Sequence, residues 1–258
     1  MKNIMKSQLF KLKRDKICIF TFFAILTLSI AMIFMMLDMS ADKTFTGGEE
    51  AAITMNMFML LSQFFMYIFT AQMCGADFTD KTMNYEIMSG HTRAQVFFGR
   101  VIPCILIGTL GSLILIAAPV AVEVAMLGWG DKIKFSDILI RFMFMIFPIE
   151  RIISEYVFLS YIIKNPYIVM GISYVLCIVL GINIPEGQLY SPILGMSNLN
   201  MLSYVDSWVS YGLGDDMYYI YETALTSGQI ISTVVISLVF ISGSLFLGYS
   251  FFKNDDMH

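Results

Sequence analysis

Side chains fit for covalent or metal chemistry are sparse in this sequence and poorly placed for it. The histidines are His91 and His258. The four cysteines (Cys18, Cys74, Cys104 and Cys177) stand inside or at the edges of apolar runs, with no CxxC among them. Thiols in such places act as small hydrophobes, and the pattern predicts neither a disulfide framework nor a metal centre. Serines and a histidine occur in GSLFLG and MSGH, yet no Ser/His pair, HExxH or paired aspartates fall at matching depth in the apolar runs. That argues against an intramembrane hydrolase. A phosphate-binding GxxxxGK[ST] loop is also missing, so the chain is not expected to hydrolyse ATP. The expectation is a non-catalytic protein with no cofactor of its own.

The polar residues that do form a pattern lie within apolar stretches. Asn56, Gln63 and Thr70 are spaced by seven and share one helical face, suited either to interhelical hydrogen bonds or to a substrate route. Arg151 and Glu155, four apart, can pair along a helix, whereas Glu150 needs water or a partner on another helix. A charge at mid-bilayer costs about 2.5–3.5 kcal/mol, so none of the three is expected to face lipid alone. Three readings stand for them: a hydrated pathway or hinge beside Pro148, which can kink the helix, a structural ion pair, or a helix that starts at the interface and holds these groups at shallow depth. These six residues are the candidate substrate pathway. Glu123 is expected near the outer interface. Gly108-x-x-x-Ser112 and Ser244-x-x-x-Gly248 read as close-packing faces.

The elements that position these groups are membrane spans. Of 258 residues, 57% are hydrophobic and 14% charged, with a mean hydropathy of +0.73, a balance that cannot cover a soluble surface. Outside the amino-terminal segment there is no basic cluster, so nucleic acid is not an expected partner. Residues 17–37 carry no charge until the run ends, and at roughly 31 Å as a helix they cross the hydrocarbon. That run exceeds the apolar core of a signal peptide and is read as a retained span. Further runs at 51–73, 101–127, 138–163, 167–184 and 230–252 predict an all-α protein of six transmembrane helices in one domain, 1–258. Lys2, Lys6, Lys11, Lys13, Arg14, Lys16, Lys81, Arg93, Arg100, Lys164 and Lys253 fall on one side, against Lys43, Lys132 and Lys134 on the other. This bias predicts that both termini are cytoplasmic. Residues 1–16, with Met5, Leu9 and Leu12 among lysines, read as an interfacial helix on anionic lipid or as a solvated basic tail.

Between the second and third spans lies GADFTDKTMNYEIMSGHTRAQVFFGR, residues 75–100. Thr79 to Met88 fits a short helix with one broad apolar side, on which Met83 and Ile87, and Tyr85 and Met88, share helical spacing. Gly90 suits a left-handed stop, and Thr92-Arg93-Ala94-Gln95 fits a capping box that starts the next helix. The resulting elbow is suited to docking another protein or to resting on lipid headgroups. Its candidate contact residues are Phe78, Asp80, Lys81, Met83, Tyr85, Glu86, Ile87, Met88 and Arg93.

The order Asp80-Lys81-Thr82-Met83, then Ser89-Gly90-His91-Thr92-Arg93, then Phe98-Gly99-Arg100 before a span resembles the permease subunits of type 2 ABC transporters. It looks most like the small bacterial members tied to peptide-antibiotic export and immunity; Lys81 stands where that family often has glycine. The resemblance implies a multi-pass protein of the bacterial cytoplasmic membrane that exports a peptide or amphiphile. It implies a second permease copy or homologous permease as partner, and a separate ATPase subunit that binds ATP and magnesium and drives the elbow. It also implies that residues 185–229 form interfacial or re-entrant helices capping an exit. That segment lacks Lys and Arg but carries Glu186, Asp206, Asp215, Asp216 and Glu222 amid aromatic residues, which fits the headgroup level. Alternatives are a gradient-driven secondary transporter, for which no paired repeat is visible, and an immunity protein that binds a toxin without moving it.

Overall fold

The computed structural model describes residues 1–39, 46–79, 82–131, 133–183, 202–203, 220–221 and 225–254. Asp80 and Lys81, and the acidic residues of the 185–229 segment, lie outside them. Among the described residues the chain is helical apart from one short antiparallel pairing, Leu202–Ser203 with Ile220–Tyr221.

A short helix, α1 (Lys2–Leu12), leads into α2 (Lys16–Met39). Next, α3 (Gly47–Thr70) passes without interruption into a π-helical turn, Ala71–Gly75, and then α4 (Ala76–Thr79). Helix α5 (Thr82–Met88) precedes α6 (Arg93–Leu127). The remainder is α7 (Phe135–Phe144), α8 (Ile146–Ile163), α9 (Pro166–Asn183) and α10 (Ser227–Lys253). Among the described residues, four helical stretches are long and apolar enough to cross a membrane: Lys16–Met35, Met57–Thr79, Arg93–Leu127 and Ser227–Lys253. They coincide with the first, second, third and sixth expected spans.

Burial orders these helices. The stretch Met57–Thr79 is 67% buried, whereas α2 and α10 are 22% and 17% buried over their apolar stretches. Helix α3 is therefore the centre, packed along α6, and α2 and α10 present most of their apolar side chains outward. A water-soluble protein would hide those faces; a bilayer solvates them. The core gathers Phe65, Phe69 and Met73 of the central helix, Phe97 and Val101 of α6, and Ile149, Ile153 and Val157 of α8. Small residues set the spacing. A methyl on Gly108 would stand 2.9 Å from the Ile153 side chain, and the buried stripe Thr233, Ser237, Ser244 and Gly248 lets α10 lie along α8. Both packing faces expected from the sequence are thus occupied by neighbouring helices.

The fourth expected span is two helices. α7 ends at Phe144 and α8 starts at Ile146, with Met145 as cap. Pro148 explains the break: its ring conflicts with the carbonyl four residues earlier, that of Phe144, and it offers no N–H in return. The following break is also explicable. Lys164 takes a left-handed conformation (φ 57°) to end α8. Asn165 Oδ1 accepts from the N–H groups of Tyr167 and Ile168 at 3.0 and 3.3 Å, capping α9, with Pro166 at its first position.

At the opposite end of α3, the N–H groups of Gly47 and Gly48 donate to the carbonyls of Gly128 and Trp129 at 2.7 and 2.9 Å. A Cβ on Gly47 would lie 2.4 Å from the Gly128 oxygen. Gly47→Ala is therefore expected to lower stability by about 1–3 kcal/mol through forced separation of this strap. Thermal unfolding in detergent reads the effect, with exposed Gly171→Ala, which meets no neighbour, as the contrasting variant.

Candidate functional site

The helical signals of residues 75–100 act as their chemistry requires. Gly90 has φ 95° and closes α5. Thr92 is the N-cap of α6: its hydroxyl accepts from Gln95 N–H at 3.3 Å and Gln95 Oε1 accepts from Thr92 N–H at 3.2 Å, a complete capping box. The thirty-five residues of α6 extend roughly 52 Å, well beyond a hydrocarbon core of about 30 Å. Its first turns can therefore stand outside the bilayer beside α4 and α5.

At that end the structure builds a buried polar centre on Asp77. Its Oδ1 receives Lys11 Nζ at 2.6 Å and Thr82 Oγ1 at 3.1 Å. Its Oδ2 receives Gln8 Nε2 at 3.0 Å and the guanidinium of Arg100. Arg100 turns its other edge to Glu86, Nη2 to Oε2 at 2.9 Å and Nε to the same oxygen at 3.3 Å. Asp77 and Arg100 are 2% and 1% exposed, so the pair is fully desolvated and relies on these bonds to offset that cost. Two cations and two carboxylates leave the cluster neutral. Burial pushes the Glu86 carboxyl above its ordinary value, while the Met1 ammonium pulls it down; the Arg100 contact favours its charged form. One carboxylate thereby ties α1, α4, α5 and α6 into one unit, with Glu86 adding a second strand between α5 and α6.

Aromatic packing joins this unit to the rest. Tyr161 of α8 has its ring centroid 5.2 Å from Phe78, 4.7 Å from Phe97 and 5.4 Å from Phe252 of α10. Arg93 Nη1 donates to the carbonyls of Phe252 and Lys253 at 3.2 and 2.6 Å. A cation there satisfies carbonyls that the end of α10 cannot pair internally and meets the negative end of its dipole.

The expected contact residues separate accordingly. Met83 is buried, Phe78 and Ile87 pack against the core, Glu86 is paired to Arg100, and Arg93 is bound to the end of α10. Those five stabilise the elbow. Tyr85 and Met88 are 70% and 82% exposed and are what α5 offers outward.

Helix α1 forms within residues 1–16 and gains a seat on the protein. Its buried side chains are Ile4 and Gln8, with Leu9 exposed and Met5 only partly covered. Gly99 of α6 makes room, since a Cβ there would lie 3.0 Å from the Ile4 side chain. The helix thus docks on protein through Ile4, Gln8 and Lys11, and its Met5–Leu9 side faces away from that seat.

Among the pathway candidates, Arg151 Nε pairs with Glu155 Oε1 at 2.8 Å, and the guanidinium lies 4.2 Å from the Phe240 ring centroid on α10. Glu150 is half-buried one residue before. Thr70 is buried in the centre and Gln63 partly so; the side chain of Asn56 is outside the described set. Glu123, one turn from the end of α6, is buried against α3 and accepts from Thr54 Oγ1 at 2.8 Å. Cys18, Cys74 and Cys104 are buried free thiols. No group of His, Cys, Asp and Glu able to hold a metal occurs among the described residues. No protein-family model matches the chain, and no curated protein matches it significantly.

Proposed function

We propose that this chain is the membrane-spanning permease subunit of an ATP-driven exporter of the type 2 ABC kind, and that the α5–turn–α6 elbow receives the motion of a separate ATPase subunit. One observation carries the reading. α5 is fixed at its base by buried charges yet leaves Tyr85 and Met88 exposed at its far side. A lever needs both properties, a stiff attachment to the spans and a free apolar contact for what pushes it.

In this reading both termini and the elbow are cytoplasmic, as the Lys and Arg bias requires. ATP and magnesium reside on the partner. Two permease copies, or this chain and a homologous one, enclose the pathway across a two-fold axis, and the cargo is a peptide or amphiphile.

The test is purification of the chain expressed with its genomic neighbours. An ATPase is expected to accompany it, and the pair Tyr85→Asp with Met88→Asp is expected to weaken association by roughly thirtyfold or more, the range of a lost hot spot. The elution profile of the permease should be unchanged, because both positions are exposed. Transport that persists without any ATPase and follows an imposed ion gradient would favour the secondary transporter instead.

A further inference from the structure

An apolar groove opens between α2, α3 and α6, about 260 Å³ in volume. Its walls include Leu12, Cys18, Phe22, Phe65, Ile107 and Leu110, and its floor lies at Gly111. A methyl on Gly111 would come within 2.7 Å of the Phe65 ring, so glycine keeps that floor low.

A basic segment joins two of the lining residues. Leu12 and Cys18 both line the groove, and between them run Lys13, Arg14, Asp15 and Lys16. Lys13, Arg14 and Lys16 are exposed and enter no ion pair among the described residues. Asp15, the one acid of the stretch, is turned inward: its Oδ1 accepts from the N–H groups of Ile17 and Cys18 at 2.9 and 3.1 Å, capping α2. Arg14 is steadied by Phe10, whose ring centroid is 4.3 Å from the guanidinium carbon. The fixed docking of α1 on Asp77 holds this basic corner beside the apolar slot rather than leaving it on a loose tail.

We propose that the groove is a binding site for an anionic glycerophospholipid, one acyl chain lying against Phe22, Phe65 and Ile107 and the phosphate held by Lys13, Arg14 and Lys16. Charge argues for a lipid over a second copy of this chain. Three unpaired cations at the edge of an apolar slot match a headgroup above a tail, and a like-charged copy would bring the same cations together. The inference needs the chain to be in a membrane but not to be a transporter.

Native mass spectrometry of the detergent-purified chain, titrated with phosphatidylglycerol or phosphatidylcholine, tests it. Retention of phosphatidylglycerol is expected to exceed that of phosphatidylcholine at least tenfold. Lys13→Gln, Arg14→Gln and Lys16→Gln are each expected to reduce that preference about fivefold, while exposed Lys2→Gln and Lys6→Gln leave it unchanged. Leu110→Trp, at an exposed position on the groove wall, should displace both lipids with the charge corner intact. Equal loss from the Lys2/Lys6 pair would mean diffuse attraction and overturn the site. So would a cysteine at Leu110 that cross-links two copies in the membrane, which would assign the groove to self-association.

Discussion

Asp77→Asn is expected to destabilise the chain by about 3–5 kcal/mol, the range for removing one partner of a buried ion pair. The change preserves shape and keeps an acceptor for Thr82 or Gln8, so packing is not the cause. It removes the carboxylate that pairs with both Lys11 and Arg100, while the Arg100–Glu86 pair remains. Arg100→Gln should also destabilise, because it removes one of the two cations on Asp77 and the guanidinium that pairs with Glu86. The combined Asp77→Asn, Arg100→Gln variant should lose much less than the sum, because each single variant already breaks the same pair. Thermal unfolding in detergent measures all three. Additive losses would mean that the two residues do not act together. Limited proteolysis adds a local readout: unpinning and fraying of α1 in Asp77→Asn should speed tryptic cleavage after Lys11, Lys13 and Arg14 before the spans unfold.

The second large effect concerns Arg151. Arg151→Met should lower stability by about 2.5–3.5 kcal/mol, since Glu155 is left charged on a helix surrounded by apolar groups. Arg151→Met with Glu155→Met should recover most of that loss, as replacing a buried ion pair by apolar residues of similar size is often neutral or stabilising. The double variant also separates two of the readings of these charges. A structural pair predicts stability and transport recovered together, and a hydrated pathway predicts a stable protein that no longer transports. The distance of 2.8 Å and the Phe240 ring over the guanidinium favour the structural pair, so recovery of both is the expected result.

What was readable from the sequence is local. Thr92 and Gln95 are three apart, Gly90 precedes them, and the cap forms from those residues alone. The same spacing at Thr226 and Gln229 starts α10 with an identical box, a signal equally plain in the sequence. Pro148 marked a kink, but that it divides the span at Met145 depends on where its ring meets Phe144. Asp77 could not be picked from its neighbours: Asp77 and Asp80 look alike beside an apolar run. Its partners stand 69, 66 and 23 residues away, a separation no periodicity reveals. The seat of helix α1 on protein was hidden in the sequence for a related reason. A glutamine and a lysine do not look like a buried face until the carboxylate that receives them is known. For Met83 the apolar spacing was right, but spacing cannot say which side of an amphipathic turn meets its own chain and which side is left for others.

The π-helical turn at Ala71–Gly75 has a geometric outcome for the carboxylate below it. Asn56, Gln63, Thr70 and Asp77 are evenly spaced along the sequence, so a regular helix would have aligned all four in one row. Absorbing an extra residue, with Ala76 N–H reaching back to Ala71, sets the lower end about 100° out of phase with the upper. Asp77 is thereby rotated out of the row and onto Arg100 and Lys11. Were Ala71–Gly75 wound as regular α-helix with the same residues, the acid would turn about 100° away from both cations, so the irregularity is what aims it.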